Sequence, residues 1–249
     1  MPYADGASSR GLESPLMTSP AATGPVGETR VAPGAGPPRT VRQVNEPSEA
    51  AAEPAVDERG PAPTIRVFLA LAPPDDAKDE LARALGPAYE EYPRLRWNRI
   101  EDWHITLAFL GELPLTTVPL LMPPLAGLTA HRRPLRLALH GGGHFDERVL
   151  WSGIEGDLEG LHRLATDVRD IVKACGVSFP DRPLRPHLTL ARSRRGDHRA
   201  AVEVAAGLAA FSGRVWEAER LHLVGSNFGR GPGPIRYRDI EAWSFGHGS

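Results

Sequence analysis

Residues 104–107 read HITL and residues 187–190 read HLTL, so one pattern, His-apolar-Thr-Leu, occurs twice in this chain at a separation of 83 positions. The chain holds only nine His and eleven Thr. Random draws at such a composition give roughly 0.04 copies of His-x-Thr-Leu per chain. We therefore interpret the two copies, each an HxTx motif, as related parts of one structure.

Both motifs lie in alternating apolar runs, which is the pattern of a β-strand. Successive side chains of a strand point to opposite faces, so the His and the Thr of each motif share one face while the two apolar residues share the other. Each motif is thus expected to present an imidazole and a hydroxyl roughly 6–7 Å apart along the strand, backed by core packing.

Two such strands side by side would form a pocket with two imidazoles and two hydroxyls. One neutral His can take a proton from an attacking water or hydroxyl, while the other, protonated, can give a proton to a leaving oxygen. Thr hydroxyls can donate hydrogen bonds to the non-bridging oxygens of a phosphate, where negative charge develops in the transition state. The motifs therefore predict phosphodiester chemistry with no cofactor and no metal.

Residues 1–63 differ sharply in composition from the rest of the chain. They contain eleven Pro and seven Gly, one aromatic residue (Tyr3), and no Ile, Phe, Trp or Cys. Such a segment cannot bury enough apolar surface to offset its loss of conformational entropy, so we expect a disordered Pro/Gly-rich tail. Residues 64–246, with all five Trp and all seven Phe, are expected to form the folded domain.

Charge and cysteine content exclude several classes of protein. The net charge of −2 argues against coating of long nucleic acids by bulk charge, so any RNA contact must be local. The single cysteine, Cys175, excludes an internal disulfide and fits a reducing compartment. No apolar run approaches the length of a membrane span and no secretory signal is present, so a cytoplasmic monomer that does not bind membranes is expected.

Helices and strands are mixed along the chain. The clearest helix spans residues 157–175, with Asp157 as N-cap and Gly176 just past its end. Residues 114–130, which contain Pro119, Pro123 and Pro124, are expected to form only a short, broken helix, and residues 141–143 a glycine loop. The other predicted elements are strands at residues 65–72, 103–110, 135–140, 149–151, 187–192, 214–225 and 235–245, and helices at residues 75–85 and 198–211.

This order of elements favours an α+β fold with a largely antiparallel sheet. Because one motif falls in each half of the chain, we expect two related lobes that face each other. The active site would lie in the cleft between them, a common place for a site.

The pieces together resemble the two-histidine (2H) phosphoesterase superfamily and, within it, the bacterial RNA 2′,3′-cyclic phosphodiesterases, also called 2′-5′ RNA ligases. The matching motifs are spread over residues 65–245 and do not cover residues 1–63. They are RVFLALAPP, LRW followed by HITLAFLGELP, GGGHF before RVLW, the LxxLHxL helix, RPHLTLAR, and the closing strands with Gly-Pro-Gly-Pro and Tyr237.

The resemblance implies a bilobal α+β fold with two pseudo-two-fold-related lobes and metal-independent hydrolysis of an RNA 2′,3′-cyclic phosphate to a 2′-phosphomonoester. If the roles of the family's two histidines apply to the matching positions here, His104 would be the general acid that protonates the departing 3′-oxygen. His187 would be the general base that activates water. Thr106 and Thr189 would hold phosphate oxygens. The two motifs are alike, so the sequence alone does not indicate which His is the acid and which is the base. That assignment comes from the resemblance. The implied partners are RNA termini or small cyclic-phosphate nucleotides.

Basic and aromatic residues near the second motif are the expected substrate-binding groups. Arg185 and Arg192 are candidates for binding phosphates of an RNA end, and Phe145 for stacking on a base. Arg192 shares its strand face with His187 only if the alternation of the strand shifts. The other residues considered are Arg182, Arg194 and Arg195 as phosphate ligands, Phe109, Trp151 and Phe228 as stacking residues, and His222, which is expected to be structural or exposed.

Other functions stay open on the sequence alone. The chain could be a 2H enzyme for another substrate, such as a cyclic nucleotide or a 2′-5′ oligonucleotide, or an RNA-end-binding module without turnover. The HGGG stretch at residues 140–143 matches the oxyanion loop of lipases, but the Gly-x-Ser-x-Gly elbow is absent, which argues against an esterase.

Overall fold

The two motif strands lie next to each other in the middle of one antiparallel sheet. The computed structural model describes residues 62–180, 182–194, 198–226 and 237–246, and within these residues the sheet has nine strands. They are β1 (Thr64–Leu71), β2 (Arg96–Trp97), β3 (Ile105–Pro114), β4 (Leu135–Phe145), β5 (Val149–Gly156), β6 (His187–Arg192), β7 (Ser212–Ala218), β8 (Arg220–Ser226) and β9 (Tyr237–Ser244).

The order of strands across the sheet divides into two equivalent halves. It runs β7-β4-β5-β6-β3-β1-β8-β9, and β2 pairs with β6 from outside this path. The motif strands β6 and β3 are the inner strands of two sets of four. The register between them is given by one residue pair in the described part of the chain, Ile105 with Leu188. The predicted α+β fold with two related lobes of antiparallel strands is confirmed.

Five helices flank the sheet in the described residues, and their positions in the chain repeat as well. Two of the helices lie between β1 and β3 and one lies between β5 and β6, while one further helix follows each of β3 and β6. The helices are α1 (Asp75–Ala84), α2 (Gly86–Glu91), α3 (Val118–Ala130), α4 (Leu158–Ala174) and α5 (Arg199–Gly207). Packing of α4 on β3 and of α5 on β4 and β5 covers one face of the sheet, so the opposite face is left for the site.

Helix α4 forms as its apolar stripe predicts. The Asp157 side chain accepts a hydrogen bond from the backbone N–H of Gly160 at 2.8 Å, which satisfies one of the free N–H groups of the first turn. Gly176 follows the helix with φ of 79°, a left-handed conformation that glycine adopts without strain. Leu161, Leu164 and Val168 are buried in the core.

The prediction of a short, broken helix at residues 114–130 is wrong. Helix α3 is continuous over thirteen residues although Pro123 and Pro124 lie inside it. Burial of Leu121 and Leu125 outweighs the loss of two backbone hydrogen bonds. Because Pro124 has no N–H, the carbonyl of Leu120 lacks its helical donor, and it accepts a weak hydrogen bond from Sγ of Cys175 at 3.7 Å instead.

The glycines at residues 141–143 form part of strand β4 rather than the predicted loop. Gly141 has φ of 61° at a bulge in the pairing with β5. The other two glycines are required by close packing. A Cβ on Gly142 would lie 2.6 Å from Cβ of Leu208, and a Cβ on Gly143 would lie 2.2 Å from the indole of Trp151.

The predicted strand at residues 214–225 is two strands that belong to different lobes. Strand β7 pairs with β4 and strand β8 pairs with β1, and the chain passes from one lobe to the other at Glu219. No Gly or Pro marks this change of partner.

Several predictions concern residues that the structure does not describe. The tail at residues 1–63 lies outside the described residues except for Ala62 and Pro63, and the Gly/Pro-rich bend before β9, Phe228 and Arg195 lie outside them as well. Among the described helices, none has both the length and the apolar composition that a membrane span requires.

Candidate active site

The register of the two motif strands brings the predicted catalytic residues together. Ile105 of β3 pairs with Leu188 of β6 in antiparallel orientation. One step along this register in each direction places His104 opposite Thr189 and Thr106 opposite His187. The pair Ile105 and Leu188 lies on the pseudo-two-fold axis, because these two residues occupy the same position in the two motifs. Ile105 and Leu188 are fully buried, whereas the four polar residues are half-buried on the other face.

Each imidazole is held by the backbone in the same way. Nδ1 of His104 lies 2.6 Å from the carbonyl oxygen of Asp102, and Nδ1 of His187 lies 2.6 Å from that of Arg185. A carbonyl oxygen can only accept, so Nδ1 is the protonated nitrogen in both rings. Nε2 is therefore the nitrogen of each ring that can give or take a proton.

Burial lowers the pKa of both histidines below the usual value of 6.5. For His104, desolvation is the main cause, and the positive charges of His187 and Lys78 lower the pKa further, against the opposing effect of Asp102. For His187, desolvation is again the main cause, and the charge of Arg192 adds to it.

Aromatic rings hold the two imidazoles from the sides. Phe68 stacks on His104 with 4.6 Å between ring centroids, and Tyr237 meets the same imidazole edge-on at 5.4 Å. Phe145 meets His187 edge-on at 4.9 Å, and Trp151 lies at 6.4 Å from it. Each imidazole thus has one close and one more distant aromatic neighbour, which restricts ring rotation.

A duplicated bulge changes which side chains face the site beyond each Thr. On β6, Ala191 pairs with Leu150 and Thr189 with Trp151, so Leu190 is an extra residue relative to β5. Leu190 and Ala191 are both buried, and Arg192 is exposed. The alternation therefore shifts, which is the condition for Arg192 to share the face of His187.

The same bulge occurs on β3 at the equivalent position. Ala108 pairs with Leu69 and Thr106 with Ala70, so Leu107 is the extra residue relative to β1. Phe109 follows with 46% of its surface exposed. Positions 109 and 192 are again 83 apart, so the two halves place a phenyl ring and a guanidinium at equivalent sites.

Two cavities border the pair of histidines. The His187 cavity, about 1070 Å³, is lined by His187, Thr106, Phe109, Phe145 and Arg185, among others. The His104 cavity, about 400 Å³, has a polar lining that includes His104, Lys78, His222, Tyr237 and Asp239. His104 thus borders one cavity and Thr106, two residues further along the strand, borders the other.

The predicted substrate-binding residues surround His187. The guanidinium carbon of Arg185 lies 6.0 Å from the centre of the Phe145 ring. Arg185 and Phe145 both line the His187 cavity, and the charge of Arg192 lowers the pKa of His187. Arg182 lines the same cavity, whereas Arg194 is exposed two residues beyond the end of the strand.

Sequence reasoning missed Phe68 and Lys78 as neighbours of His104. The signal for Phe68 is the alternation of residues 65–72, since Phe68 lies on the opposite face from the core residues Val67 and Leu69. No pattern in the sequence indicates Lys78, because its place depends on the packing of α1. His222, which was expected to be structural or exposed, lines the His104 cavity.

Comparisons with known proteins show the family of this chain. The model of the family described as LigT like Phosphoesterase matches residues 71–151 and 154–235, one segment for each motif. An RNA 2′,3′-cyclic phosphodiesterase from Geobacillus stearothermophilus is 33% identical over 180 residues, which cover 71% of this chain but only 56% of that protein. One from Thermus thermophilus is 30% identical over 192 residues, which cover 72% of this chain and 90% of that protein.

Solved structures share the fold. A crystal structure of a protein from Thermus thermophilus is similar with a TM-score of 0.60 and 26% identity, covering 73% of this chain and 99% of that one. Escherichia coli LigT in apo form is similar with a TM-score of 0.58 and 23% identity, covering 74% of this chain and 98% of that one. The second likeness concerns the fold alone.

Proposed function

Because the chain belongs to the LigT-like phosphoesterase family, we propose that it is an enzyme that hydrolyses RNA 2′,3′-cyclic phosphate ends to 2′-phosphomonoesters. The observation that carries this proposal is the matched pair of backbone hydrogen bonds, which leaves Nε2 of His104 and Nε2 of His187 as the two reactive nitrogens. Two imidazoles with the same fixed tautomer are what acid–base cleavage of a phosphodiester requires.

In the proposed reaction, a water oxygen attacks phosphorus while its proton passes to Nε2 of His187, the general base. The bond between phosphorus and the 3′-oxygen breaks, and this oxygen takes the proton of Nε2 of His104, the general acid. The bond to the 2′-oxygen stays intact, so the product is a 2′-phosphomonoester. Proton exchange with solvent then returns both imidazoles to their starting states. The roles of acid and base follow the family resemblance.

The hydroxyls of Thr106 and Thr189 are proposed to donate hydrogen bonds to the two non-bridging oxygens of the phosphate. The register supports this role, because each Thr lies opposite the His of the other motif. Negative charge on the bound phosphate raises the pKa of a nearby imidazole, which offsets the effect of burial and allows His104 to be protonated when substrate is bound.

Substrate binding is proposed to use Arg192, Arg185 and Phe145. Arg192 would bind a phosphate oxygen from the exposed end of β6, since its charge already acts on His187. Phe145 and Arg185 would contact a base or its phosphate in the His187 cavity. We further propose that residues 64–246 are the catalytic domain, that residues 1–63 lie outside it, and that the enzyme acts as a cytoplasmic monomer without metal.

Incubation with adenosine 2′,3′-cyclic phosphate tests the proposal. ³¹P NMR should show one product, the 2′-phosphate, and a chelator should leave the rate unchanged. Binding without turnover would instead indicate an RNA-end-binding module. If only a 3′,5′-cyclic nucleotide or a 2′-5′ oligonucleotide were cleaved, the enzyme would have another substrate. The matched control is His162→Ala, which removes an exposed histidine of α4.

A further inference from the structure

Lys78 is a buried cation without a partner among the described residues. It is one of only two lysines among 29 basic residues of the chain. Its relative exposure is 7%, and it makes no hydrogen bond or ion pair through its side chain with any described residue. Its ammonium is not among the fully buried side-chain nitrogens of the described residues, so it reaches the cavity that Lys78 lines. A mostly buried charge is stabilised by a partner of opposite sign, which a bound anion would supply.

The position of Lys78 on its helix also favours an anion nearby. Lys78 lies in the first turn of α1, where its backbone N–H donates to the carbonyl of Pro74 at 3.1 Å. The N-terminal end of a helix carries partial positive charge, which disfavours a cation and favours an anion. The nearby carboxylate of Asp76 does not compensate, because it is bound to Arg214 at 2.7 Å.

The His104 cavity, which Lys78 lines, contains other charges that already have partners. Asp102 accepts two hydrogen bonds from Arg99, at 2.8 and 3.0 Å. Asp239 accepts from Nδ1 of His222 at 2.9 Å, which leaves Nε2 of His222 available to another group. Glu101 and Arg238 also border the cavity as exposed side chains of opposite charge. Among the described residues, Lys78 is therefore the buried cation there whose charge no carboxylate balances.

The geometry of the proposed reaction indicates which anion would enter this cavity. In an in-line displacement the attacking water and the departing 3′-oxygen lie on opposite sides of phosphorus. Since His104 would protonate the 3′-oxygen, the ribose that carries this oxygen lies on the His104 side. The next phosphate of an RNA chain is attached to the 5′-oxygen of that same ribose, one sugar away from the scissile group.

We propose that Lys78, with Nε2 of His222, binds the phosphodiester on the 5′ side of the terminal nucleotide. The enzyme would thereby prefer an RNA end over a nucleoside 2′,3′-cyclic phosphate, which has no such group. This inference rests on the proposed function, and it adds a second anion-binding position to the site. The ammonium of Lys78 can donate three hydrogen bonds, so one side chain can bind the non-bridging oxygens of such a phosphodiester.

The test compares two substrates in the full chain. These are adenosine 2′,3′-cyclic phosphate and the dinucleotide ApA that ends in a 2′,3′-cyclic phosphate. For the wild type, kcat/KM on the dinucleotide should exceed that on the mononucleoside by roughly 10- to 100-fold, the value of one or two charge-assisted hydrogen bonds. Lys78→Met should remove most of this preference by raising KM for the dinucleotide, and His222→Gln should remove a smaller part. Lys173→Met, which removes the other lysine, should leave kcat/KM unchanged on both substrates.

The outcomes separate the inference from the function that it assumes. If the wild type turned over neither substrate, the proposed function would fail. If it turned over both equally well, the function would stand and the inference would be wrong. If Lys78→Met lowered kcat/KM equally on both substrates and shifted the pH profile of kcat/KM, Lys78 would act on His104 and not on a second phosphate. Should Lys78→Met fail to fold, adenosine 2′,3′-cyclic phosphate with and without a 5′-phosphate gives the same comparison in the wild type.

Discussion

The half of the site around His104 and the half around His187 share a backbone and differ in their surroundings. Both imidazoles donate Nδ1–H to the carbonyl two residues before, at the same 2.6 Å, and a bulge follows each Thr. The environments are different. His104 has Phe68, Tyr237 and Lys78 as neighbours, whereas His187 has Phe145, Trp151 and Arg192.

This difference indicates how a symmetric pair of motifs can take on asymmetric roles. The motif strands supply two equivalent imidazoles, and neighbouring strands and helices decide what each imidazole faces. At the equivalent positions after the bulges, a phenyl ring (Phe109) stands in one half and a guanidinium (Arg192) in the other. The sequence motif therefore predicts the two His and two Thr that the halves share, but not the neighbouring residues in which the halves differ.

Removal of either imidazole should have the largest effect. His104→Ala and His187→Ala should each lower kcat by roughly 10²–10⁴-fold, because each removes one of the two proton transfers. The double variant should be little worse than the single ones, since the two groups act in one step. Steady-state rates with adenosine 2′,3′-cyclic phosphate, with circular dichroism to verify folding, measure this. Near-normal turnover in either single variant would refute the shared mechanism.

The two hydroxyls should contribute equally if the halves are equivalent toward the phosphate. Thr106→Val and Thr189→Val should each lower kcat by roughly 10²-fold, the usual effect of losing one donor to a developing oxyanion. Thr106→Ser and Thr189→Ser keep the hydroxyl and serve as controls that should retain most activity. A loss confined to one of the two Val variants would show that one hydroxyl faces the phosphate alone.

Arg192→Gln sharpens the contrast between the halves. It should lower kcat/KM by roughly tenfold through loss of a charge-assisted hydrogen bond. It should also raise the pKa of His187, because the Arg192 charge lowers it in the wild type. The acid limb of the pH profile of kcat/KM should therefore move to higher pH. Arg194→Gln, an exposed arginine just past the strand, is the matched control, and an equal effect there would exclude a specific role for Arg192.

The pH dependence of stability should reveal the buried state of His104 with the smallest effect of this series. Burial holds the pKa of the folded-state ring below 6.5, so the unfolded chain binds its proton first as the pH falls. The free energy of unfolding of the wild type should then decrease below pH 6.5, by at most about 1.4 kcal/mol per pH unit for this group, until the folded-state ring is protonated. Urea unfolding of His104→Gln should show a shallower decrease in that range. Parallel pH dependence in both proteins would contradict the lowered pKa.

The parts of the fold that the sequence predicts well are those with local signals. The motif strands and helix α4 follow from periodicity, and Asp157 and Gly176 mark the ends of α4. Helix α3 and the glycines of β4 were predicted wrongly because their local signals, proline and glycine, are outweighed by tertiary packing. Pro123 and Pro124 are tolerated next to buried leucines, and Gly142 and Gly143 make room for Leu208 and Trp151.

In the site, too, the sequence predicts residues with a local signal and misses residues that only tertiary packing brings together. The four motif residues could be found from spacing alone, and their facing positions follow from the strand period. Lys78 and His222 could not be found in this way, because only the fold brings α1 and β8 to the His104 cavity. The change of lobe at Glu219, which brings His222 to the His104 cavity, has no local signal in residues 212–226.

Both imidazoles are proposed to serve one anion, although each borders a different cavity. The most direct test is a titration of the ¹⁵N-histidine-labelled protein with inorganic phosphate, observed through the Nε2 resonances of His104 and His187. His104→Gln and His187→Gln assign the two signals. A single phosphate should shift both resonances with one common midpoint. Two separate midpoints, or a shift of only one imidazole, would contradict the account.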